Sequence, residues 1–271
     1  MSSVSVLLRT LNAESYLGPL LESLKRQTLP PIEVLIVDSG STDRTIEMGE
    51  AAGARIETIL PEEFTHAYST NYGFRAAKGE LVAMLSQDAL PANENWLEAL
   101  ATPHKDQSVG ATFGRQVARE GCFPLERWEI ERCYPSDSPA PVVYSNVSSL
   151  AKKSLWEQCP FDESLRISED QVWAENVLES GYKVLYIPES HVWHSHTYTL
   201  RGVYDRCRAE ARARLQADGV RESHGLLWKG WPKQAMLDAH RLIREGSLAS
   251  VPRAWAYRFA QFAGMVNGGK S

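Results

Sequence analysis

The chain has 271 residues, enough to bury a substantial core in one large domain or in one domain with an appendage. Its 29 Lys and Arg against 34 Asp and Glu give a net charge of −5 at pH 7, an ordinary balance for a soluble protein. No run of about eighteen apolar residues is present, and the first residues lack the pattern of a signal peptide, so we expect a cytoplasmic protein. The four cysteines include no CxxC pair, which disfavours a zinc or thiol-redox site.

The first hundred residues alternate between strand and helix patterns. Near-continuous apolar runs predict buried strands at 4–8, 33–38, 56–60 and 81–85. Helical spacing predicts helices over 16–26 and 68–78, and a third helix ends at residue 52 with Ser41 or Thr42 as its cap. Successive β-α units require a mostly parallel sheet with right-handed crossovers, so we predict a doubly wound, Rossmann-like α/β fold.

The pattern changes from residue 109 onwards. Strands are predicted at 109–118, 142–144 and 183–187, with helices over 124–133, 152–158 and 168–180. Residues 136–141 form a Pro/Ser-rich connection, either a plain surface loop or a lid. Beyond residue 199 the chain is predicted to be a helical C-terminal extension.

The charge of this C-terminal segment differs from that of the body. Residues 1–200 carry 16 Lys and Arg against 28 Asp and Glu, whereas residues 201–271 carry 13 against 6, a net +7. This asymmetry indicates either an anionic partner, such as a membrane surface, a lipid diphosphate or nucleic acid, or packing against the acidic body.

Carboxylates stand at the ends of two predicted strands, where open α/β sheets bind their ligands. Asp38 could accept hydrogen bonds from a base or ribose, and its loop has neither a GxGxxG fingerprint nor a Walker lysine, which disfavours NAD binding and P-loop chemistry. Asp88 is either a ligand or the cap of the following turn.

A histidine cluster follows the last predicted strand. If the strand ends converge, the side chains of Asp88, His191, His194 and His196 would make an N/O site for Mn²⁺ or a similar ion, although single histidines are usually structural. Glu169 and Asp170 open a predicted helix, where acids favour the positive end of the helix dipole and where one of them could also act as a general base.

Together these motifs resemble the family 2 glycosyltransferases. The resemblance covers roughly residues 3–200 and rests on four stretches in the same order and spacing: Arg9-Thr10-Leu11-Asn12, Val37-Asp38-Ser39-Gly40-Ser41-Thr42-Asp43, Ser86-Gln87-Asp88-Ala89 and Ser168-Glu169-Asp170. Three further stretches are most similar to the bacterial rhamnosyltransferase-type branch: Phe64-Thr65-His66, Asn71 and Gln87-Asp88-Ala89-Leu90-Pro91.

The resemblance implies a GT-A fold and an inverting enzyme that uses a nucleotide diphosphate sugar and a divalent metal, Mn²⁺ or Mg²⁺. Residues 1–200 would form this domain, with 1–105 as the nucleotide-sugar-binding half and 106–200 as the acceptor and catalytic half. Asp170 would be the general base and Glu169 would orient donor or acceptor. Asp88 would bind the metal with His194, or with His196 as its substitute. The donor-binding residues would be Arg9, Thr10, Asn12, Asp38, Ser41, His66, Gln87 and Asp88.

Two departures from the family pattern bear on this site. Ser86 stands where the first acid of the DxD motif is expected, which makes a histidine ligand more necessary. Thr70 stands where many relatives have an arginine, and Arg75, about one helical turn on, is the substitute the sequence offers for binding the diphosphate.

The expected reaction adds a sugar, with rhamnose from a thymidine diphosphate donor as the candidate, to an envelope glycan or lipid-linked acceptor, and no nucleic acid partner is expected. The aromatic and basic residues of 250–271 suggest peripheral contact with the inner face of the membrane, or else packing on the body or on a second subunit of a homodimer. A non-catalytic sugar-nucleotide-binding subunit is the alternative function. A sugar-nucleotide pyrophosphorylase is disfavoured because no Gly-rich basic loop follows the first strand.

Overall fold

The structure is a computed structural model that describes residues 2–137, 143–165, 167–218 and 225–268. Strands and helices alternate through the first hundred residues and then follow in a less regular order. The strands are β1 (Val4–Thr10), β2 (Glu33–Asp38), β3 (Arg55–Thr58), β4 (Leu81–Ser86), β5 (Leu90–Pro91), β6 (Val109–Val117), β7 (Ser148–Lys152) and β8 (Lys183–Trp193). The helices are α1 (Glu14–Lys25), α2 (Thr45–Ala51), α3 (His66–Ala76), α4 (Trp96–Ala101), α5 (Pro124–Cys133), α6 (Lys153–Gln158), α7 (Glu169–Glu179), α8 (Leu200–Asp218), α9 (Trp231–Arg244) and α10 (Val251–Asn267).

All eight strands belong to one sheet with the order β3-β2-β1-β4-β7-β6-β8-β5. The first four are parallel, as the apolar runs predicted. The side chains of β1, β2 and β4 are buried on both faces, where two separate hydrophobic clusters cover the sheet. Because these strands are parallel, their carboxyl ends meet at one edge, and Thr10 lies directly beside Asp38 there.

The other half of the sheet is mixed. β7 runs antiparallel to both β4 and β6, β8 is parallel to β6, and the short β5 is antiparallel to β8. The α/β prediction with a helical C-terminal extension is therefore confirmed, and parallel pairing dominates only in the first half. Antiparallel β7 places the segment before it, which includes Asn146, next to the end of β4, where Ser86 N–H donates to the Val147 carbonyl.

Three local predictions were wrong. Val143 and Tyr144 are not in a strand, and Val142 and most of the 136–141 connection lie outside the described residues. Strand β8 does not stop at residue 187: its pairing with β6 shifts between Gly114 and Arg115, which accommodates Pro188 and continues the strand through His191. The N-cap position of α2 is occupied by Arg44, and its side chain makes no capping hydrogen bond. The Ser41 hydroxyl donates to Asp38 instead.

The chain divides into two compact units. The first unit comprises Met1–Arg119 and Ile130–Ser195 and contains the sheet; the second comprises Glu120–Glu129 and His196–Ser271. The second unit has a core of its own, built from α8, α9, α10 and the start of α5, in which Trp128, Val203, Leu242 and Tyr257 are buried. A membrane-spanning helix is absent from the part of the chain that the structure describes.

Candidate active site

Asp38 is fully buried at the end of β2 and holds the first two loops of the edge together. Its Oδ1 accepts from the backbone N–H groups of Gly40 and Ser41 at 3.0 and 2.8 Å, and its Oδ2 accepts from the hydroxyls of Thr10 and Ser41 at 2.7 and 2.5 Å. Two donors on each carboxylate oxygen fill the acceptor capacity of this group. A ribose hydroxyl could bind Asp38 only by displacing one of the two side-chain hydroxyls.

Asn12 and Gln87 fasten the loop after β1 to its neighbours. Asn12 has a left-handed backbone with φ of 50°, its N–H donates to Ser41 Oγ at 2.8 Å, and its side-chain oxygen accepts from Thr42 N–H at 2.9 Å. Gln87 pairs with both backbone groups of Leu11, accepting from its N–H at 2.8 Å and donating to its carbonyl at 3.3 Å. The loops after β1, β2 and β4 therefore form one hydrogen-bonded edge.

Arg9 connects the edge to the first turn of α3. One guanidinium nitrogen lies 2.9 Å from the His66 carbonyl, 3.2 Å from His66 Nδ1 and 3.1 Å from Thr70 Oγ1. Burial lowers the pKa of Arg9, while the charges of Glu169 and Asp170 oppose that shift. Partial desolvation and the nearby Arg9 cation lower the pKa of His66, although the residue is exposed, so its imidazole is neutral at pH 7.

Arg9 thus brings a cation to Thr70, the position where the family pattern expects an arginine. Arg75 is exposed in the last turn of α3, nine residues from His66, which corresponds to about 13 Å along a helix. Arg9, rather than Arg75, is therefore the cation at the His66 end of α3, where the charges of Glu169 and Asp170 act on it.

Asp88 and His194 face each other across the end of β4. His194 Nε2 lies 3.6 Å from Asp88 Oδ1, which is too long for a hydrogen bond, and the imidazole is buried. On its other side, Nδ1 lies 2.8 Å from the side-chain oxygen Oε1 of Gln116, an acceptor, so a neutral His194 would carry its proton on Nδ1 and leave Nε2, on the Asp88 side, as the ligand atom. This is the arrangement in which a neutral histidine ligates a metal, with a polar partner fixing its tautomer.

The donor set fits a small divalent cation. Asp88, His194 and His196 each offer one ligand atom, and the three atoms lie within 4.8 Å of one another. Ligands about 2.1 Å from a common octahedral ion are about 3.0 Å apart when adjacent and about 4.2 Å apart when opposite. The 3.6 Å between Asp88 and His194 falls within this range. The third predicted histidine, His191, lies instead within β8, with its Nδ1 3.2 Å from the Glu189 carbonyl.

Asp170 is held at the start of α7, where Ser168 takes a left-handed conformation. Its two carboxylate oxygens accept one backbone N–H each, from Asn146 at 3.1 Å and from Gln171 at 2.9 Å. Burial raises the pKa of Asp170, and these two hydrogen bonds and the Arg9 charge oppose the rise. The carboxylate is therefore oriented by the backbone and is more basic than an exposed aspartate.

Glu169 is buried beside it. Burial and the negative charge of Asp170 raise the pKa of Glu169 to about 7, against the opposing influence of Arg9. Glu169 therefore holds a proton at higher pH than an exposed glutamate does, and the charge of Asp170 contributes to this. A buried carboxyl group whose pKa is raised by burial and by a neighbouring charge is typical of acid–base sites.

Three positioning residues were not predicted from the sequence. The side chain of Gln116 orients His194, the backbone N–H of Asn146 holds Asp170, and Arg119 donates to the backbone carbonyl of Asp88. Arg119 also stacks on Tyr16, with 5.3 Å from its guanidinium carbon to the ring centroid. Gln116 and Asn146 have no sequence signal of their own, since a single amide side chain near a strand also fits a solvent-facing position.

The family comparison agrees with this geometry. The model described as glycosyl transferase family 2 matches residues 5–158, more than half of the chain. The chain belongs to glycosyl transferase family 2. Among curated relatives of this family, it is 30% identical over 198 residues to the O-antigen chain rhamnosyltransferase WbaN of Salmonella anatum, covering 68% of this chain and 63% of the relative. It is 28% identical to the O-antigen chain rhamnosyltransferase RfbN of Salmonella typhimurium, covering 75% of this chain and 69% of the relative.

Solved structures confirm the GT-A fold of this family 2 member. The mannosyltransferase PcManGT from Pyrobaculum calidifontis, solved with GDP-Man and Mn²⁺, has a TM-score of 0.67 at 20% identity, covering 98% of this chain and 86% of that one. Glucosyl-3-phosphoglycerate synthase from Mycobacterium tuberculosis, solved with Mn²⁺, UDP-glucose and glycerol 3-phosphate, has a TM-score of 0.62 at 18% identity, covering 82% of each chain. At these identities the likeness concerns the fold alone.

Proposed function

We propose that this chain is a metal-dependent, inverting glycosyltransferase that moves a sugar from a nucleoside diphosphate donor to a hydroxyl group. The observation that carries the proposal is the pairing of His194 Nε2 with Asp88 at 3.6 Å, on the same sheet edge as a backbone-held Asp170. A divalent cation at Asp88, His194 and His196 would supply positive charge to the leaving diphosphate. The loops held by Asp38 would bind the nucleoside.

Asp170 is the general base of the proposed reaction. The acceptor hydroxyl gives its proton to the Asp170 carboxylate while its oxygen attacks the anomeric carbon from the side opposite the diphosphate. The new C–O bond forms as the bond to the diphosphate oxygen breaks, and the diphosphate leaves with that electron pair. Attack from the opposite side inverts the anomeric centre.

Glu169 and Arg9 act beside the base. With a pKa of about 7, Glu169 carries a proton in a large fraction of molecules at pH 7 and can donate a hydrogen bond to donor or acceptor. Arg9, fixed by His66 and Thr70, places a permanent positive charge near the departing diphosphate. The buried side-chain nitrogen of Asn146 has no hydrogen-bond partner among the described residues and is a donor for the acceptor sugar.

For the donor we propose dTDP-rhamnose, and for the acceptor a lipid-linked envelope glycan at the cytoplasmic face of the membrane. The similarity to the rhamnosyltransferases WbaN and RfbN supports this choice. Peripheral membrane contact would bring the enzyme to its acceptor.

A thermal-shift panel of nucleotide sugars, each with and without Mn²⁺ or Mg²⁺, tests donor and metal together. A donor at a hundred times its Kd should stabilise the fold by about 2.7 kcal/mol, and only when the cation is present. No stabilisation by any nucleotide sugar with either cation would contradict the proposal.

The Asp170→Asn variant tests catalysis separately from binding. It should lose turnover by about a hundredfold or more and still give the donor-induced thermal shift. The exposed Asp162→Asn is the matched control and should keep both properties. A wild-type chain that binds donor without any turnover would instead be the non-catalytic subunit.

A further inference from the structure

The outer face of α9 carries apolar side chains that no described part of the second unit covers. Met236, Leu237 and Ile243 are 70%, 55% and 56% exposed. They share one side of the helix with Lys233, His240 and Arg244, at spacings of three, four and seven residues. We call these six residues the α9 outer face.

The opposite face of α9 is fixed within the second unit. Ala235, Asp238 and Leu242 are buried there, and Asp238 accepts from Arg258 at 2.6 Å. Since Asp238 is the only acid between Trp231 and Arg244, and it points inwards, the α9 outer face contains no negative charge.

The exposed charged residues next to this face are basic. Lys229, Lys233 and Arg244 are exposed, and none forms an ion pair with any carboxylate in the described ranges. The nearby Glu245 is already engaged by Arg241 at 3.0 Å and Arg127 at 2.6 Å. Apolar residues flanked by unpaired Lys and Arg are typical of helices that lie on anionic lipid.

Half-exposed aromatic residues of α10 lie beside α9, on the side of the helix that carries Trp231 and Ala235. The Trp255 indole N–H donates to the Ala235 carbonyl of α9 at 3.0 Å, and Trp231 packs edge-on against Phe259 with 5.4 Å between the ring centroids. Trp255 and Phe259 are 45% and 46% exposed, and Trp228 before α9 is 73% exposed. Tryptophans with a satisfied N–H and an open ring favour the membrane–water interface.

We propose that the α9 outer face rests on an anionic lipid surface. The inference deepens the proposed function, since it rests on a membrane-borne acceptor, and it places the contact mainly on α9 rather than throughout residues 250–271. One face of α10 packs inwards, with Ala254, Tyr257, Ala260 and Gly264 buried. A second copy of the chain is a poorer occupant, because a two-fold contact through this face would bring the Lys233 and Arg244 cations of both copies into one interface.

The test is cosedimentation of the full chain with vesicles of phosphatidylcholine alone or of equal parts phosphatidylcholine and phosphatidylglycerol. The chain should bind the mixed vesicles, less at high salt, and bind phosphatidylcholine weakly. The double variants Met236→Gln/Ile243→Gln and Lys233→Gln/Arg244→Gln should each bind about tenfold more weakly. Leu60→Gln and Leu178→Gln replace residues of similar exposure, 56% and 54%, in the first unit and should bind like wild type.

Two results would overturn the proposal. One is undiminished vesicle binding by both double variants, provided that their thermal transitions match wild type. The other is a wild-type dimer in sedimentation velocity that the same variants convert to monomers, because a second copy would then cover the face. Donor-induced thermal shifts should be unchanged in all four variants. A failure of the lipid-binding proposal is therefore distinguishable from a failure of the proposed transfer reaction.

Discussion

Glu169 provides the sharpest test of the electrostatics of the site, through the substitution Glu169→Gln. Because burial and Asp170 raise its folded pKa to about 7, from a usual value near 4.5, the folded state holds this proton more tightly than the unfolded chain does. The stabilising effect of that proton is fully present below pH 4.5 and is lost as the pH rises through 7. Glutamine stays neutral, so the variant lacks this pH dependence.

The size of the effect follows from the shift. The rise from about 4.5 to about 7 corresponds to about 3 kcal/mol, at about 1.4 kcal/mol for each pKa unit. Relative to the variant, the free energy of unfolding of wild type should be almost unaffected at pH 4 and should be lower by about 3 kcal/mol at pH 8.5. The difference in the free energy of unfolding between variant and wild type should therefore change by about 3 kcal/mol across this range, whatever constant offset the substitution introduces.

Urea unfolding followed by circular dichroism, at intervals from pH 4 to pH 8.5, measures this difference. Glu179→Gln, at the exposed end of the same helix, is the matched control and should give a constant difference from wild type. If the Glu169→Gln difference were as flat as that of the control, then Glu169 would not be a buried carboxyl group with a raised pKa, and its proposed role beside Asp170 would fail.

Three further substitutions probe the rest of the site. Gln116→Leu removes the acceptor of the His194 Nδ1–H and should weaken Mn²⁺ binding by about 10-fold to 100-fold in calorimetric titrations at saturating nucleotide, whereas exposed Gln158→Leu should have no effect. Asp38→Asn disturbs four hydrogen bonds and should lower the free energy of unfolding by about 1–3 kcal/mol in urea titrations; an unchanged value would contradict the anchoring role of Asp38. Arg9→Met should raise the donor Kd by about tenfold or more in the same calorimetric assay, and an unchanged Kd would exclude Arg9 from diphosphate binding.

The sequence predicts the parallel half of the sheet well because its strands are buried on both faces. It fails at β7, where Ser148 and Ser149 are buried although polar. Hydrogen bonds make this burial acceptable: Ser148 accepts from the Trp96 indole at 2.9 Å, and Ser149 donates to the Asn146 side chain at 3.2 Å. A partner as distant in sequence as Trp96 is from Ser148 cannot be predicted from local periodicity.

The same reason separates the predicted from the unpredicted parts of the site. Asp38, Asp88 and Asp170 stand at strand or helix ends, positions that local patterns predict and that family motifs mark. Gln116 and Asn146 acquire their roles only when β6 and the segment before β7 reach this edge. Chemically active residues are thus easier to predict than the residues that orient them.

Ser86 determines which cation the site should prefer. In the β1–β4 pairing it lies directly beside Arg9, so a carboxylate at 86 would sit next to a guanidinium that instead contacts His66 and Thr70. With serine there, the candidate ligand set has one carboxylate, from Asp88, and two imidazoles. Nitrogen ligands favour Mn²⁺ over Mg²⁺, which prefers an all-oxygen shell.

At saturating nucleotide, half-maximal thermal stabilisation should therefore need about tenfold less Mn²⁺ than Mg²⁺. Equal requirements for the two ions would mean that the histidines do not ligate the metal and that Asp88 and the diphosphate hold it without them.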